Sequence, residues 1–491
     1  MNSKISTRIV WLLISLGVFL RIVVLIAIDP ALKGDAASYD ETARMFLGEL
    51  PLVPDWSPGV SLYLALLYKL LGSSVWVSRL SMLPFYIGVS LTLPALVANV
   101  IGQLSRFHEK LTVYREERFV NQAAYIAVGV FAVLPASIWC SITPLTQMPT
   151  LLLFNLLALL LLLRPGTETP IRASLIGLCL GLMVLIRPSS IPLLAFALFV
   201  LLFDRVGSKL TLKPLRLVLP NIVACLLVFG VLVVGYNSWL YKQTGRRIWV
   251  NQTNMQNLYY GNNPYTPLYK TWWFGSHKTA DDGVPTGFLE LSERIHSLPI
   301  DQRDGAFKEE VLKEVKSRPQ IFVFRTLNRV RTYMAYDTFA GAQLSDMKHP
   351  KAPGAVFKGI KALVLLGDFA LYNAVCLLVI ALFAVRGLLK NQFLLDFKNA
   401  NLVVLGVLYS LPYFVSFSHS TYHFPLFGGL IAFAVVSAVV LKRELKADPA
   451  DRFLLPELQN RKGLLLLGIA VFLLVQAEWT LVMLKRLPAS Y

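Results

Sequence analysis

Asp29–Gly59 reads DPALKGDAASYDETARMFLGELPLVPDWSPG and stands between two apolar runs, Ile9–Ile28 and Arg79–Ile101. It sets Asp29, Asp35, Asp40, Glu41, Glu49 and Asp55 against only Lys33 and Arg44. Gly34-Asp35 opens a short helix, with Asp35 as N-cap and Asp40 and Glu41 near the positive end of the helix dipole. Tyr39, Ala43, Phe46 and Leu47 share one face of that helix, and Gly48 can end it. Ser57-Pro58 starts a second helix in the favoured order, cap residue then proline. Capping alone accounts for Asp35, because aspartate ranks among the best N-caps. Position adds a second reading: an acidic, amphipathic loop just beyond a span holds carboxylates at a membrane face.

The rest of the chain explains why such a loop stands out. Of 491 residues, 55% are hydrophobic and only 15% charged, too apolar for a soluble protein of this size. The apolar runs recur along the whole length and predict an all-α polytopic membrane protein of about eleven transmembrane helices. A formal charge of +18 invites a nucleic-acid reading. The basic residues are scattered between apolar segments, as the positive-inside rule expects, and no nucleic acid is needed to explain them. Cys140, Cys179, Cys225 and Cys376 all lie in or beside apolar segments, with neither a disulfide framework nor a zinc spacing. Lys4 and Arg8 precede the first apolar run without a small-residue cleavage site, which reads as a retained span.

In chain order, Ile9–Ile28 carries Arg21 inside it, and a charge at that depth needs a partner or a wet cavity. Pro58–Leu71 covers only about 21 Å as a helix, short of a ~30 Å core, and reads as interfacial, with Tyr63 and Tyr68 at headgroup level. Arg79–Ile101 crosses back to a basic loop holding Arg106, Lys110, Arg115 and Arg118. Asn121–Trp139 and Pro149–Leu163 form a hairpin that turns at Pro144 and ends at Arg164 and Arg172. Ser174–Phe203 is interrupted by Arg187-Pro188-Ser189-Ser190, and its basic flanks favour two short spans with Arg187 at their turn. After Leu217–Leu240 comes the only long polar region, 241–358, which includes Trp272, Trp273, Asp281-Asp282 and an amphipathic helix around Phe307, Val311, Leu312 and Val315. Ile360–Val385, Ala400–Phe417, Phe424–Leu441 and Gly463–Leu484 complete the spans, separated by basic clusters at 386–398 and 442–462. The organisation is an N-terminal transmembrane module, 1–240, with its first external loop at 29–78, then an external region 241–358, then C-terminal helices 359–491. The lysine and arginine asymmetry puts the N-terminus in the cytoplasm and the C-terminus outside.

Arg21, Lys33, Arg79 and Arg187 are cations in or beside the membrane, near the face that carries the acidic loop. Singly, each is explained by snorkelling or by pairing with a carboxylate. Together they suit an anionic headgroup, since a guanidinium can bond two phosphate oxygens at once. His419 and His423 lack a third ligand, so no metal is expected, and Asp281-Asp282 reads as a turn. Neither a Walker loop nor a dinucleotide fingerprint occurs, and no cofactor is expected.

Gly34-Asp35 with Tyr39, then Ser57-Pro58-Gly59 and Arg79-Leu80, resembles the first external loop and second span of the GT-C superfamily of glycosyltransferases. The branch it resembles holds bacterial protein O-mannosyltransferase-like enzymes and the lipid A aminoarabinose transferase. Gly181–Pro188 (GLMVLIRP), Tyr260-Gly261-Asn262-Asn263-Pro264 and Tyr422-His423-Phe424-Pro425 follow in the family's order. Two positions depart from the pattern: Thr421 stands where an arginine is frequent, and Ala36 where a second acid is. The resemblance implies a GT-C fold and inverting transfer of a sugar from a polyprenyl-phosphate donor to a glycolipid, glycan or protein acceptor at the outer face. It also implies a multi-pass protein of the bacterial inner membrane. Asp35 matches the catalytic aspartate of the family; Lys33, Tyr39, Arg79, Arg187, Asn262, Tyr422 and His423 match or flank its substrate-binding positions. Two rival classes share the outline. An O-antigen ligase or polymerase relies on external Arg and His residues and lacks an acidic first loop. A lipid-linked sugar transporter or flippase carries repeated halves with matched helix breaks, whereas the Arg187 break has no counterpart.

Overall fold

The computed structural model describes residues 6–28, 31–104, 116–162, 169–206, 209–251, 253–266, 268, 284–345, 347, 351–388, 397–449, 452, 454–460 and 462–486. Asp29, Lys4, Arg106, Lys110, Arg115, Arg164, Trp272, Trp273, Asp281-Asp282 and the 389–396 part of the late basic cluster lie outside the described residues.

Among the described residues the fold is helical, apart from one antiparallel hairpin that pairs Phe203–Val206 with Lys209–Leu212. Helices at Thr7–Ala27, Val75–Gln103, Val218–Thr244, Gly354–Ala384, Ser420–Lys446 and Lys462–Leu481 are long and apolar enough to cross a membrane. Shorter apolar helices run over Pro58–Leu71, Gln147–Leu161, Pro170–Ile186, Pro188–Leu202 and Leu402–Val415. The chain is an all-α polytopic membrane protein. Its first helix illustrates the solvent: it buries Val10, Ile14, Gly17, Arg21 and Leu25, and its other face exposes Leu12, Phe19 and Ile26. Apolar residues left outward on a helix that is apolar all round belong against lipid.

One expected span is not straight. Asn121–Trp139 is a broken pair, Glu117–Val133 and Pro135–Ser141, bent by 65°. Pro135 has no N–H to continue the ladder, and its ring excludes a straight helix. Arg21 compensates for the break. It is fully buried and donates to Ala132 O at 2.9 Å, Ser137 Oγ at 2.7 Å, Ser141 Oγ at 2.6 Å and Gly17 O at 2.8 Å. Tyr86 covers its cationic face at 3.5 Å. A lone arginine at a helix centre costs about 2.5–3.5 kcal/mol on insertion scales, and these contacts offset that cost without a carboxylate. The partner that Arg21 required is therefore a freed backbone carbonyl with two hydroxyls. From the far side Asp368 Oδ1 accepts the Ala136 N–H at 2.8 Å, so the second half of the broken span is anchored at its start.

The region 241–358 is more than loop. Tyr259, Val284, Phe288, Ile295, Phe307 and Val311 form a small separate core, built around the expected amphipathic helix, which spans Ile300–Ser317.

Candidate active site

The helix Asp35–Phe46 starts one residue earlier than a cap at Asp35 requires. Gly34, at φ 56°, is the N-cap, and Asp35 is the first helical residue. The sequence expectation of an Asp35 cap is corrected for a backbone reason: the chain leaves helical geometry at the position that tolerates positive φ, which is the glycine. Asp35 remains favourable to the helix dipole there, and it is exposed while Ala36, Tyr39, Thr42 and Ala43 are buried. Gly48, at φ 80°, follows the helix end as expected. Ser57 caps Pro58–Leu71 in position, but its hydroxyl is taken by Asn251 Nδ2 at 3.0 Å.

The other acids of the loop are engaged locally. Asp40 accepts from the Tyr68 hydroxyl and from Arg44 Nε, the latter at 3.0 Å, and Glu49 pairs with Arg44 at 3.3 Å. Asp35 acts elsewhere: its charge reaches both Tyr39 and Tyr422. Burial first, and the Asp35 charge second, hold the Tyr39 phenol well above its ordinary value, so Tyr39 is a neutral donor beside Thr146.

Those two tyrosines border Arg187. Its φ of −143° and ψ of 99° end the helix Pro170–Ile186, because a residue before proline is pushed out of helical geometry. Arg187 is 8% exposed, and its Nε donates to Thr146 Oγ1 at 2.7 Å. Nη1 donates to Tyr413 Oη at 3.0 Å and, more weakly, to Tyr409 Oη at 3.4 Å. The Tyr422 ring lies 5.5 Å from the guanidinium carbon and stacks on Tyr413 at 4.9 Å. Ser189 Oγ holds Tyr413 from the other side at 3.0 Å. Among the described residues, no carboxylate pairs with Arg187, and its Nη2 makes no hydrogen bond. A buried guanidinium ringed by hydroxyls, with no counter-ion among the described residues, has the chemistry to accept an anion. Gly59, in the expected Ser57-Pro58-Gly59 motif, allows the first loop to reach this centre, since a Cβ there would lie 2.5 Å from Ile186 Cγ1 and 2.9 Å from its backbone nitrogen.

The remaining expected residues fall in three places. Lys33 is exposed on the segment leading into the Asp35 helix. Arg79 is buried and donates to Ala31 O at 2.7 Å, Thr143 Oγ1 at 3.1 Å and Ile142 O at 3.3 Å. It thus ties the first loop to the same 142–146 segment that Arg187 grips. Asn262 is buried near the end of the helix Phe397–Val415, where its Nδ2 donates to Val415 O at 2.7 Å and Leu258 O at 2.9 Å. Arg329 Nη2 donates to Asn262 Oδ1 at 3.0 Å, and Arg329 Nη1 to Val415 O at 3.0 Å. His423 is buried, with Nδ1 against Tyr333 O at 2.6 Å and its ring stacked on Tyr372. Thr146, Ser189, Tyr409 and Tyr413 belong to the site and escaped the sequence reading. The available signal was the pair Tyr409 and Tyr413, four residues apart on one face of an apolar helix.

No family model and no curated protein matches the chain. Solved structures do. The apo oligosaccharyltransferase of Archaeoglobus fulgidus aligns with 100% of this chain and 57% of its own, at 12% identity and a TM-score of 0.46. The oligosaccharyltransferase AglB of the same organism, in complex with an inhibitory peptide and a dolichol-phosphate, aligns with 89% of this chain and 50% of its own, at 11% and 0.44. ArnT from Cupriavidus metallidurans bound to undecaprenyl phosphate aligns with 90% of this chain and 82% of its own, at 12% and 0.39. The chain spans about half the length of the oligosaccharyltransferases it resembles.

Proposed function

We propose that the chain is an integral membrane glycosyltransferase that moves a sugar from a polyprenyl-phosphate donor to an acceptor hydroxyl on a glycolipid, glycan or protein. In this reading the active site faces the outer side of a cell membrane, the bacterial inner membrane by resemblance. The observation that carries it is a buried Arg187 guanidinium that has no carboxylate partner among the described residues, with Tyr39 and Tyr422 lying within the electrostatic reach of both Arg187 and the exposed Asp35. Arg187 receives the donor phosphate through Nη2. Asp35 takes the proton of the acceptor hydroxyl while the acceptor oxygen bonds to the anomeric carbon. The bond from that carbon to the phosphate oxygen breaks, and polyprenyl phosphate leaves with the electron pair, its charge held by the guanidinium. Attack opposite the leaving group inverts the anomeric centre. A phosphate leaving group needs charge stabilisation more than an acid, which suits a site with one base and one cation. A ligase mechanism built on external histidine finds no support in His423, which is buried against Tyr333 and Tyr372. The test is to incubate the reconstituted protein with a panel of polyprenyl-phosphate sugars and follow donor loss by mass spectrometry. Consumption of one donor with release of polyprenyl phosphate is expected; a folded protein that leaves the whole panel intact, with acceptor lipids and peptides supplied, refutes the reading.

A further inference from the structure

The helix Pro319–Tyr333 is inside out. It buries Arg325, Asn328, Arg329, Thr332 and Tyr333, and it exposes Val323 and Leu327, at 56% and 63%. Met334, one residue past its end and on the same face, is 44% exposed. A helix on a water-facing surface shows the opposite pattern, because leaving the apolar stripe in water forfeits about 25 cal/mol per Å². The preceding helix, Ile300–Ser317, keeps the water pattern: it buries Phe307 and Val311 and exposes Lys308, Lys313 and Lys316. The switch falls at Arg318-Pro319, where Glu314 is held by Arg318 at 2.5 Å and by Arg325 at 3.0 Å.

The level of the inverted helix relative to the spans follows from its far end. Arg331 pairs with Glu478 at 2.9 Å, and Gln476 takes the Tyr336 N–H and gives its own amide to Met334 O, both at 2.9 Å. Gln476 and Glu478 lie on the span Lys462–Leu481, with Gln476 about 7–8 Å short of its last residue at 1.5 Å per residue. The same span exposes Leu473, Leu474 and Leu481. The end of the inverted helix is therefore docked within the apolar length of a membrane helix, and its bare face continues that helix's lipid-facing surface.

We infer that the Val323–Leu327–Met334 face is inserted in the bilayer, and that Pro319–Tyr333 anchors the small core around Tyr259, Phe288 and Phe307 to the membrane surface. The occupant is lipid, not a partner protein, because the bare face adjoins a surface already facing lipid and is apolar apart from Gln320 at its first turn and the paired Arg331. The inference is independent of the proposed chemistry. It also bears on the site, since Tyr333 at the anchored end receives the Ser410 hydroxyl at 2.8 Å and stacks on Tyr413.

The test uses the full chain in proteoliposomes, with a nitroxide attached to Val323→Cys or Leu327→Cys; the four native cysteines are buried. Leu474→Cys serves as the lipid reference and Lys313→Cys as the water reference. Collision rates are measured with oxygen, which concentrates in lipid, and with a nickel chelate, which stays in water. Positions 323 and 327 are expected to match 474, with oxygen collisions dominant and nickel collisions lost. Nickel collisions at the level of 313 overturn the inference by placing the face in water. Low collision with both reagents overturns it too, because protein then covers the face.

Discussion

Arg187 Nε donates to Thr146 Oγ1 at 2.7 Å, so the guanidinium that ends one apolar helix holds the residue just before the start, at Gln147, of the helix that precedes it in the chain. Arg79 holds Ile142 and Thr143 in the same segment, and the short connection is gripped at both ends by buried cations. Arg79 spends its guanidinium on Ala31, Ile142 and Thr143 oxygens, whereas Arg187 Nη2 makes no hydrogen bond among the described residues, which fits the proposed division in which Arg79 positions and Arg187 receives.

Arg187→Ala should weaken binding of a polyprenyl phosphate by roughly tenfold to a thousandfold, as expected when one partner of a buried charge pair is removed. Lysine should recover part of that loss, since it keeps the charge but not the two-pronged contact. Affinity is read by titration in nanodiscs. An alanine variant that binds normally but unfolds readily makes Arg187 structural.

Tyr413→Phe removes a hydroxyl that orients Arg187 while keeping the ring stacked on Tyr422. A hydrogen bond to a charged group contributes about 1.5–3 kcal/mol, so donor affinity should fall roughly tenfold or more. The melting temperature should fall as well, since Arg187, Ser189 and Tyr409 each lose a partner. Unchanged affinity would mean that Thr146 and Tyr409 suffice to aim the guanidinium.

Asp35→Asn should reduce turnover by roughly 10²-fold or more while donor binding persists. Stability should hold, because the cap is Gly34 and not this side chain. Glu41→Gln is the control for loop charge. Asp40→Asn is a poorer one, since Asp40 supports Tyr68 and Arg44. Near-wild-type turnover in Asp35→Asn moves the base to another acid of the loop.

Asn262→Ala leaves Arg329 and the Val415 carbonyl each short of a partner. The loss should be about 1–3 kcal/mol of stability, read as a lower melting temperature in detergent. The KM for donor should be little changed, and a selective rise in KM would instead place the Asn262 amide at the substrate.

Asp337 supplies a pH dependence. It is buried between Phe339 N–H and Thr421, and burial pushes its carboxyl up to about 6. Its surroundings include Asp368 and Cys140, which feel its charge. Because the folded value lies above the unfolded one, the stability this group contributes is full below pH ~4 and is lost as pH rises through about 6. The loss amounts to about 3 kcal/mol at most. Asp337→Asn should flatten that part of the profile, measured as melting temperature between pH 4 and 8. A variant with the wild-type slope assigns the dependence to another group.

The apolar runs, the basic flanks and the helix break at Arg187-Pro188 were legible because each depends on local properties: the solvent a segment prefers, or the backbone geometry proline permits. The acidic loop was legible for the same reason, as charge where none is expected. Helix starts were less so. Asp35 and Gly34 are both good at a helix entrance, and only the backbone decided that the glycine turns the corner. The inverted helix was hidden within a region whose average is polar, because averaging cannot say which face meets protein. Pairing was beyond the sequence altogether. Nothing local marks Thr146, Tyr413 and Tyr422 as neighbours of Arg187, or distinguishes the tethered Arg79 from the open Arg187. Those assignments follow from packing distant helices against one another, which brings side chains far apart in the chain within hydrogen-bonding reach of the same guanidinium.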